Sequence, residues 1–208
     1  MRSSDTRSRA APGGVRIIGG VHRGRRLAAP PGEAVRPTSD RAREAAFNIL
    51  SHGDFAKDGL PFAGRPVLDA FAGTGAFGLE ALSRGAAAAI LIESETPALV
   101  ALRRNVMTLG ENERAHIIAG DATHPPPAAF ACAVAFLDPP YHSGLAGPAL
   151  LALAAAGWLM PQAIAVIEVA AREDLSPPAG FAAVDERVYG AARLVFLRRT
   201  GALPGDQR

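Results

Sequence analysis

The chain has 208 residues, 49% of them apolar and 20% charged, with a single cysteine and a formal net charge of +2. That length buries one sizeable core and fits one domain with a short extension, while a lone thiol excludes an internal disulfide and suits a reducing, cytoplasmic setting. Charge is unevenly placed: residues 1–43 hold ten arginines against Asp5, Glu33 and Asp40, a net +7, and the other 165 hold 12 basic against 17 acidic side chains, a net −5. A basic arm on a mildly acidic body marks a protein that meets a polyanion at one end.

Residues 1–14 are rich in Ser, Arg, Gly and Pro and lack the apolar segment of an export signal, so a disordered basic tail is expected there. A short strand over 15–18 leads into Gly19-Gly20-Val21-His22-Arg23-Gly24-Arg25-Arg26, where four basic groups fall within five residues. Glycines that expose backbone and arginines that project suit a loop laid on phosphates, with Arg23, Arg25 and Arg26 in contact; a solvated surface turn is the plainer alternative. Arg36 is held extended by the proline that follows, and Thr38 or Ser39 can cap a helix whose apolar face is Ala42, Ala45, Ala46 and Ile49. Arg41 and Arg43 fall largely off that face, and with Arg36 they extend the basic surface offered to nucleic acid. A polar connection over 54–65 then separates an extension, 15–60, from a main domain, 61–200, with a loose tail at 201–208.

From Pro66 the pattern alternates between strand and helix in the manner of an α/β protein with a mostly parallel sheet. Strands are expected over 67–69, 88–93, 115–119, 132–137 and 163–169, with helices over 76–84, 97–109 and 145–156 and a closing pair of strands over 181–188 and 192–198. The stretch 145–167 has the length and apolarity of a membrane span, but Pro148, Gly157 and Pro161 divide it, which favours a buried helix followed by a central strand. No membrane association is expected.

Residues 66–80 place a strand, a glycine turn and a helix N-terminus in succession, the parts of a ligand cradle. Gly73-Thr74-Gly75-Ala76-Phe77-Gly78 fits the G-x-G-x-x-G pattern, a weak signal alone. Asp69, at the strand end just before the turn, would repel a pyrophosphate and attract a cofactor carrying an ammonium and a sulfonium, which favours S-adenosylmethionine over a dinucleotide. The plainer reading of Asp69 is a cap on the turn. A nicotinamide enzyme with a Tyr-x-x-x-Lys relay is excluded because the only lysine, Lys57, precedes the cradle. Glu93, 15 residues beyond Gly78, is placed to accept ribose hydroxyls, and Asp121 to accept an adenine amino group.

Asp138-Pro139-Pro140-Tyr141 follows a buried strand, where a catalytic loop belongs. Consecutive prolines stiffen the loop before a substrate arrives. The Asp138 carboxylate and the Pro139 carbonyl are acceptors for an exocyclic NH2 of a nucleobase, and Tyr141 offers a face on which the base can stack. Gripping both hydrogens would favour a pyramidal nitrogen and expose its lone pair to a methyl group. The plainer alternative is a proline turn with a buried tyrosine. No metal is expected, since His22, His52, His116, His124 and His142 show no ligand spacing.

The two loops together, with Arg16-Ile-Ile-Gly-Gly20, Arg23-Gly-Arg25, Arg36-Pro-Thr-Ser-Asp-Arg-Ala-Arg-Glu44, Phe47-Asn-Ile-Leu50 and Gly78-Leu-Glu-Ala-Leu-Ser-Arg84, resemble the RsmD family over about residues 15–198. The resemblance implies a Rossmann-like class I methyltransferase fold and methyl transfer from S-adenosylmethionine, leaving S-adenosylhomocysteine, to the N2 amine of a guanine in small-subunit (16S) ribosomal RNA. It implies that Phe71, Gly73, Thr74 and Gly75 hold the methionine end of the cofactor, Glu93 its ribose and Asp121 its adenine, with Thr38 closing over it. It further implies action on an assembled or partly assembled small ribosomal subunit; separately, a monomer is expected. Guanine comes from the family alone, because the same prolyl loop serves adenine N6 methylation of RNA or DNA. A non-catalytic RNA-binding protein on this fold is the alternative of a different class.

Overall fold

Runs such as Ala88–Glu93 and Cys132–Leu137 are apolar at every position but, in the first, the last, a composition that suits parallel strands covered on both faces. In the computed structural model, which describes residues 14–30 and 37–201, these runs lie near the middle of a seven-stranded sheet. Expectations for residues 1–13, Arg36 and 202–208 fall outside the described residues, as do the side chains of residues 37–39.

The strands are β1 (Pro66–Ala70), β2 (Ala88–Glu93), β3 (Ala115–Ala119), β4 (Cys132–Leu137), β5 (Leu159–Ala170), β6 (Phe181–Tyr189) and β7 (Ala192–Arg199), in the spatial order β3-β2-β1-β4-β5-β7-β6. β1 to β5 pair in parallel, and β7 runs antiparallel to both β5 and β6. Strand order reverses between β1 and β4, and in such sheets ligands bind in the crevice beyond the carboxyl ends at that point.

Helices α1 (Pro37–Leu50), α2 (Ala76–Ser83) and α3 (Thr96–Leu109) cover one face through Phe47, Leu79 and Leu102; α4 (Ala146–Ala155) covers the other through Leu150 and Leu153. Phe136 on β4 stacks on Phe77 of α2 at 5.0 Å between centroids and packs against Phe47 of α1 at 5.3 Å. These rings anchor the strand two residues before Asp138.

β5 starts at Leu159, four residues earlier than the sequence suggests. Its pairing with β4 shifts register between Cys132 and Val134, and the extra residues take up Pro161, which has no N–H to give, and Gln162 at φ 63°. The apolar stretch at 145–167 is thus split between α4 and β5, and among the described residues no helix is long and apolar enough to cross a membrane.

Residues 15–27 fold back on themselves, with Leu27 N–H donating to Val15 O at 2.8 Å and Gly24 N–H to Ile17 O at 2.8 Å. Ile17 and Leu27 are buried in the same core as Phe47 and Leu79, so the folded-back segment 15–27 and α1 share the core of the main domain. The fastening is Glu80 on α2, fully buried, which accepts N–H bonds from Ile18 (2.7 Å) and Gly19 (2.8 Å) and a bond from Arg84 Nε (2.6 Å), with Arg43 Nε 3.8 Å away. Removing one partner from such a buried cluster leaves the others desolvated without compensation. Glu80→Ala is therefore expected to lower unfolding free energy by about 3–5 kcal/mol, read from urea denaturation midpoints at constant slope.

Candidate active site

β1 ends in a strained turn. Phe71 takes φ 64°, a left-handed conformation that costs a bulky residue about 1–2 kcal/mol, and it is held there by Ala72 N–H donating to Ile92 O at 2.9 Å and Gly75 N–H to Ala72 O at 2.7 Å. Gly75, at φ 81°, is the residue immediately before α2, and a Cβ there would lie 2.4 Å from Leu102 Cδ1. At Gly78 a Cβ would lie 2.3 Å from Leu91 Cδ2, so glycine is what lets α2 sit directly on the sheet. Gly73 faces open space, where a Cβ would meet nothing within 4 Å.

The strand-end acids take different parts. Asp69 is 1% exposed and accepts the Gly78 N–H at 2.8 Å, a bond of the capping kind that ties β1 to the first turn of α2. Burial, followed by the nearby Glu93 carboxylate, pushes its carboxyl up to about 8 against the opposing effects of the Gly78 bond and Arg43. Glu93 is buried at the end of β2, with Oε2 accepting from Gly73 N–H (2.6 Å) and Oε1 from Ser94 (2.8 Å) and Glu95 (2.7 Å) N–H groups. Asp121, beyond β3, is exposed on the rim. Its Oδ1 accepts both the N–H and the hydroxyl of Thr123, at 2.8 and 2.7 Å, and these bonds hold its carboxyl below the usual range.

The register Ala70↔Leu137 brings the two loops out of neighbouring strands at one level, so Phe71–Gly75 and Asp138–Tyr141 flank the same crevice. Asp138 and Tyr141 are half-buried, Pro139 is buried and Pro140 exposed. The Tyr141 hydroxyl donates to Oε1 of Glu168, a buried acid near the end of β5, at 2.8 Å. Glu168 is a functional candidate that only the structure singles out, although as an acid near the end of an expected strand it carries the same signal as Asp69, Glu93, Asp121 and Asp138. Asn105 was also missed. Buried on α3, it accepts from Ala28 N–H at 2.7 Å and donates to Thr74 O at 2.9 Å, which links the folded-back N-terminal segment to the glycine loop. A lone asparagine on a helix gives no such signal in sequence.

Among the arginines expected to meet nucleic acid, Arg23, Arg25, Arg26 and Arg41 are exposed, with Arg25 Nη2 donating to Thr108 O at 2.9 Å. Arg43 corrects the expectation. It is 1% exposed and donates inward to Arg16 O at 2.6 Å and Asp40 Oδ1 at 2.8 Å, because the helix turns that position toward α2 and Glu80. Arg36 lies outside the described residues, and so does the side chain of Thr38. A cleft of about 900 Å³ runs along the outer face of α1 beside the β6–β7 turn, with Arg41, Asn48, His52 and Tyr189 on its walls.

A parallel sheet that reverses beside a glycine loop and closes with one antiparallel strand is the build of a methyltransferase that uses S-adenosylmethionine, and the chain is an enzyme of that class. The described residues fit the cofactor: the loop at Gly73 is open to close backbone approach, and it is tied to the buried Glu93 carboxylate at the end of the neighbouring strand. More narrowly, the chain belongs to the RsmD family, since the family model described as conserved hypothetical protein 95 matches residues 15–198. Ribosomal RNA small subunit methyltransferase D of Haemophilus influenzae is 35% identical over 86% of this chain and 91% of its own length, and the Escherichia coli protein of that name is 35% identical over 86% of each. The solved structure of yhhF from Escherichia coli, described as a candidate methyltransferase, superposes with a TM-score of 0.75 at 35% identity, covering 90% of this chain and 99% of that one.

Asp69 also sets a pH dependence. Its folded value, about 8, lies above the ordinary 3.8, so between these the folded chain holds a proton that the unfolded chain has released. Stability without cofactor should therefore fall as pH rises from about 4 to about 8, and Asp69→Asn should flatten that part of the curve when melting is followed across it.

Proposed function

We propose that this protein transfers a methyl group from S-adenosylmethionine to the exocyclic N2 amine of a guanine in small-subunit ribosomal RNA, presented by an assembled or partly assembled subunit and met by a monomer in the cytoplasm. The observation that carries this reading is the emergence of the prolyl corner Asp138–Tyr141 and the glycine loop from adjacent strands at one level of the crevice. Relatives named as small-subunit ribosomal RNA methyltransferases support RNA over DNA, and guanine rests on the family resemblance alone.

An exocyclic amine is a poor nucleophile because its lone pair is delocalised into the ring. The Asp138 carboxylate and the Pro139 carbonyl accept its two hydrogens, favour the pyramidal form and aim the lone pair. Tyr141 stacks on the base and fixes its plane. When bound, S-adenosylmethionine supplies an electrophilic methyl carbon on a sulfonium. The nitrogen sheds a proton once the N–C bond has formed, so Asp138 need only hold it and no strong base is required; orientation supplies much of the rate. Phe71, Gly73, Thr74 and Gly75 would hold the methionine end, with Glu93 toward the ribose, Asp121 toward the adenine and Thr38 closing over the cofactor. Arg23, Arg25, Arg26 and Arg41 face phosphates, and the cleft beside Arg41 lies open to flanking RNA.

Asp138→Ala should slow single-turnover methyl transfer to small-subunit RNA by about a hundredfold while leaving cofactor affinity near normal. Mapping methylated guanines in cells lacking the gene should show one site in that RNA lost, and an intact set would reject the reading. Arg23→Ala with Arg25→Ala should weaken RNA binding and lower its salt slope by about two, with cofactor affinity unchanged, in titrations at several salt concentrations.

A further inference from the structure

We infer that Glu168 is the positioning residue of the catalytic corner: through the Tyr141 hydroxyl it fixes the ring that stacks on the target base. This rests on the function proposed above. The β4–β5 register ends on the pair Leu137 and Ile167, so Asp138 and Glu168 are the next residues along the two neighbouring strands. Glu168 is 4% exposed, and its Oε1 accepts the Tyr141 hydroxyl at 2.8 Å across 27 residues of sequence. Tyrosine turns about only two side-chain bonds, and its hydroxyl oxygen lies on the ring axis, so holding that oxygen fixes the first of them and the direction of the axis, while the preference of a phenolic O–H for the plane of its ring biases rotation about it. A hydroxyl bond to a carboxylate is charge-assisted and stronger than a neutral one.

A second carboxylate braces the next residue. Glu173, just past β5, accepts the His142 N–H at 2.9 Å and the Ala170 N–H at 3.2 Å, and its own carbonyl receives the guanidinium of Arg193 from β7. His142 stands at φ 61°, a conformation that a non-glycine residue keeps only when its surroundings impose it. Residues 141 and 142 are thus gripped from β5 and the turn after it, while Pro139 and Pro140 stiffen the loop from the β4 side. Buried beneath the tyrosine, Glu168 acts through Tyr141 and need not touch the base.

The test pairs Glu168→Leu, Glu168→Gln, Tyr141→Phe and the Glu168→Leu/Tyr141→Phe double variant. Single-turnover methyl transfer to small-subunit RNA should fall about tenfold in Glu168→Leu and in Tyr141→Phe, with RNA and cofactor dissociation constants within about twofold of the wild type. The double variant should be no slower than the slower single one, because both remove the same bond. Glu168→Gln, which keeps an acceptor, should recover most of the rate. A wild-type rate in Glu168→Leu, multiplied losses in the double variant, or equal loss in Glu168→Gln would overturn the inference. The bond is read separately from chemistry in the Tyr189→Phe background, where Tyr141 is the only one of the chain's two tyrosines left. There the ring signals of labelled Tyr141 in nuclear magnetic resonance should shift in Glu168→Leu and hold in Glu168→Gln, and unchanged signals in Glu168→Leu would overturn the inference. Absence of any methyl transfer by the wild type would instead count against the proposed function, and the Tyr141 signals would still decide whether Glu168 orders the ring.

Discussion

An ionised carboxylate removed from water must be bonded to donors or give up its charge, because its desolvation costs several kcal/mol. Of the five described acids that are less than a tenth exposed, Asp69, Glu80, Glu93 and Glu168 each accept from a backbone or side-chain donor in another part of the fold. Each therefore works as a tie between segments that sequence keeps apart. Asp69 joins β1 to α2, Glu93 joins the end of β2 to the glycine loop, Glu80 joins α2 to the N-terminal segment, and Glu168 joins β5 to the prolyl corner. Together they determine where the loops around the crevice stand, and the chemistry assigned to those loops depends on that placement.

The N-terminal segment shows the same logic at longer range. Its backbone is fastened to α2 by Glu80 and by Ser83, whose hydroxyl donates to Gly19 O at 2.6 Å and accepts from His22 N–H at 2.9 Å, and to α3 by Asn105 at Ala28. The guanidinium groups of Arg23, Arg25 and Arg26 remain at the surface. A stiffly mounted basic loop can set the register of a polyanion relative to the crevice, whereas a flexible one would supply affinity alone. Asn105 also bonds to Thr74 O, so the mount for RNA and the loop for the methyl donor share a buried side chain.

How much of this was legible follows from which forces act locally. β2, β3 and β4 begin and end at the residues expected, because mainly apolar runs that stop at Glu93, Gly120 and Asp138 leave little choice of where each strand ends. β5 did not, since its irregular start is imposed by pairing with β4, and pairing is not written in a single segment. Periodicity placed Arg43 on the outer side of α1, but that side meets α2, and only the tertiary arrangement turns an apparent surface charge into a buried partner of Asp40 and Glu80. Asp69 was recognised as important for a reason of charge. Its bond to Gly78 gives it a structural task as well, which the weaker reading of the same residue had named. Glu168 carried the same strand-end signal as the others, yet its significance lies in a tyrosine 27 residues away, a relation that no spacing rule predicts.

On the function proposed here the reaction asks little of acid–base chemistry. The amine need not be deprotonated before attack, and the difficulty lies in bringing a weakly basic nitrogen into line with the methyl carbon at the right distance. A corner suited to that task should resist deformation, and this one is stiffened at every position: two prolines fix φ, Phe136 is wedged between Phe77 and Phe47 two residues before Asp138, and two acids at the far end of β5 hold residues 141 and 142. Rigidity of that kind transfers control of the rate to residues that never meet the substrate. It also explains why a conformation as unfavourable as that of His142 is kept at a loop of this chain: relaxing it would release the backbone bond to Glu173 and, with it, one of the two points that hold the tyrosine in place.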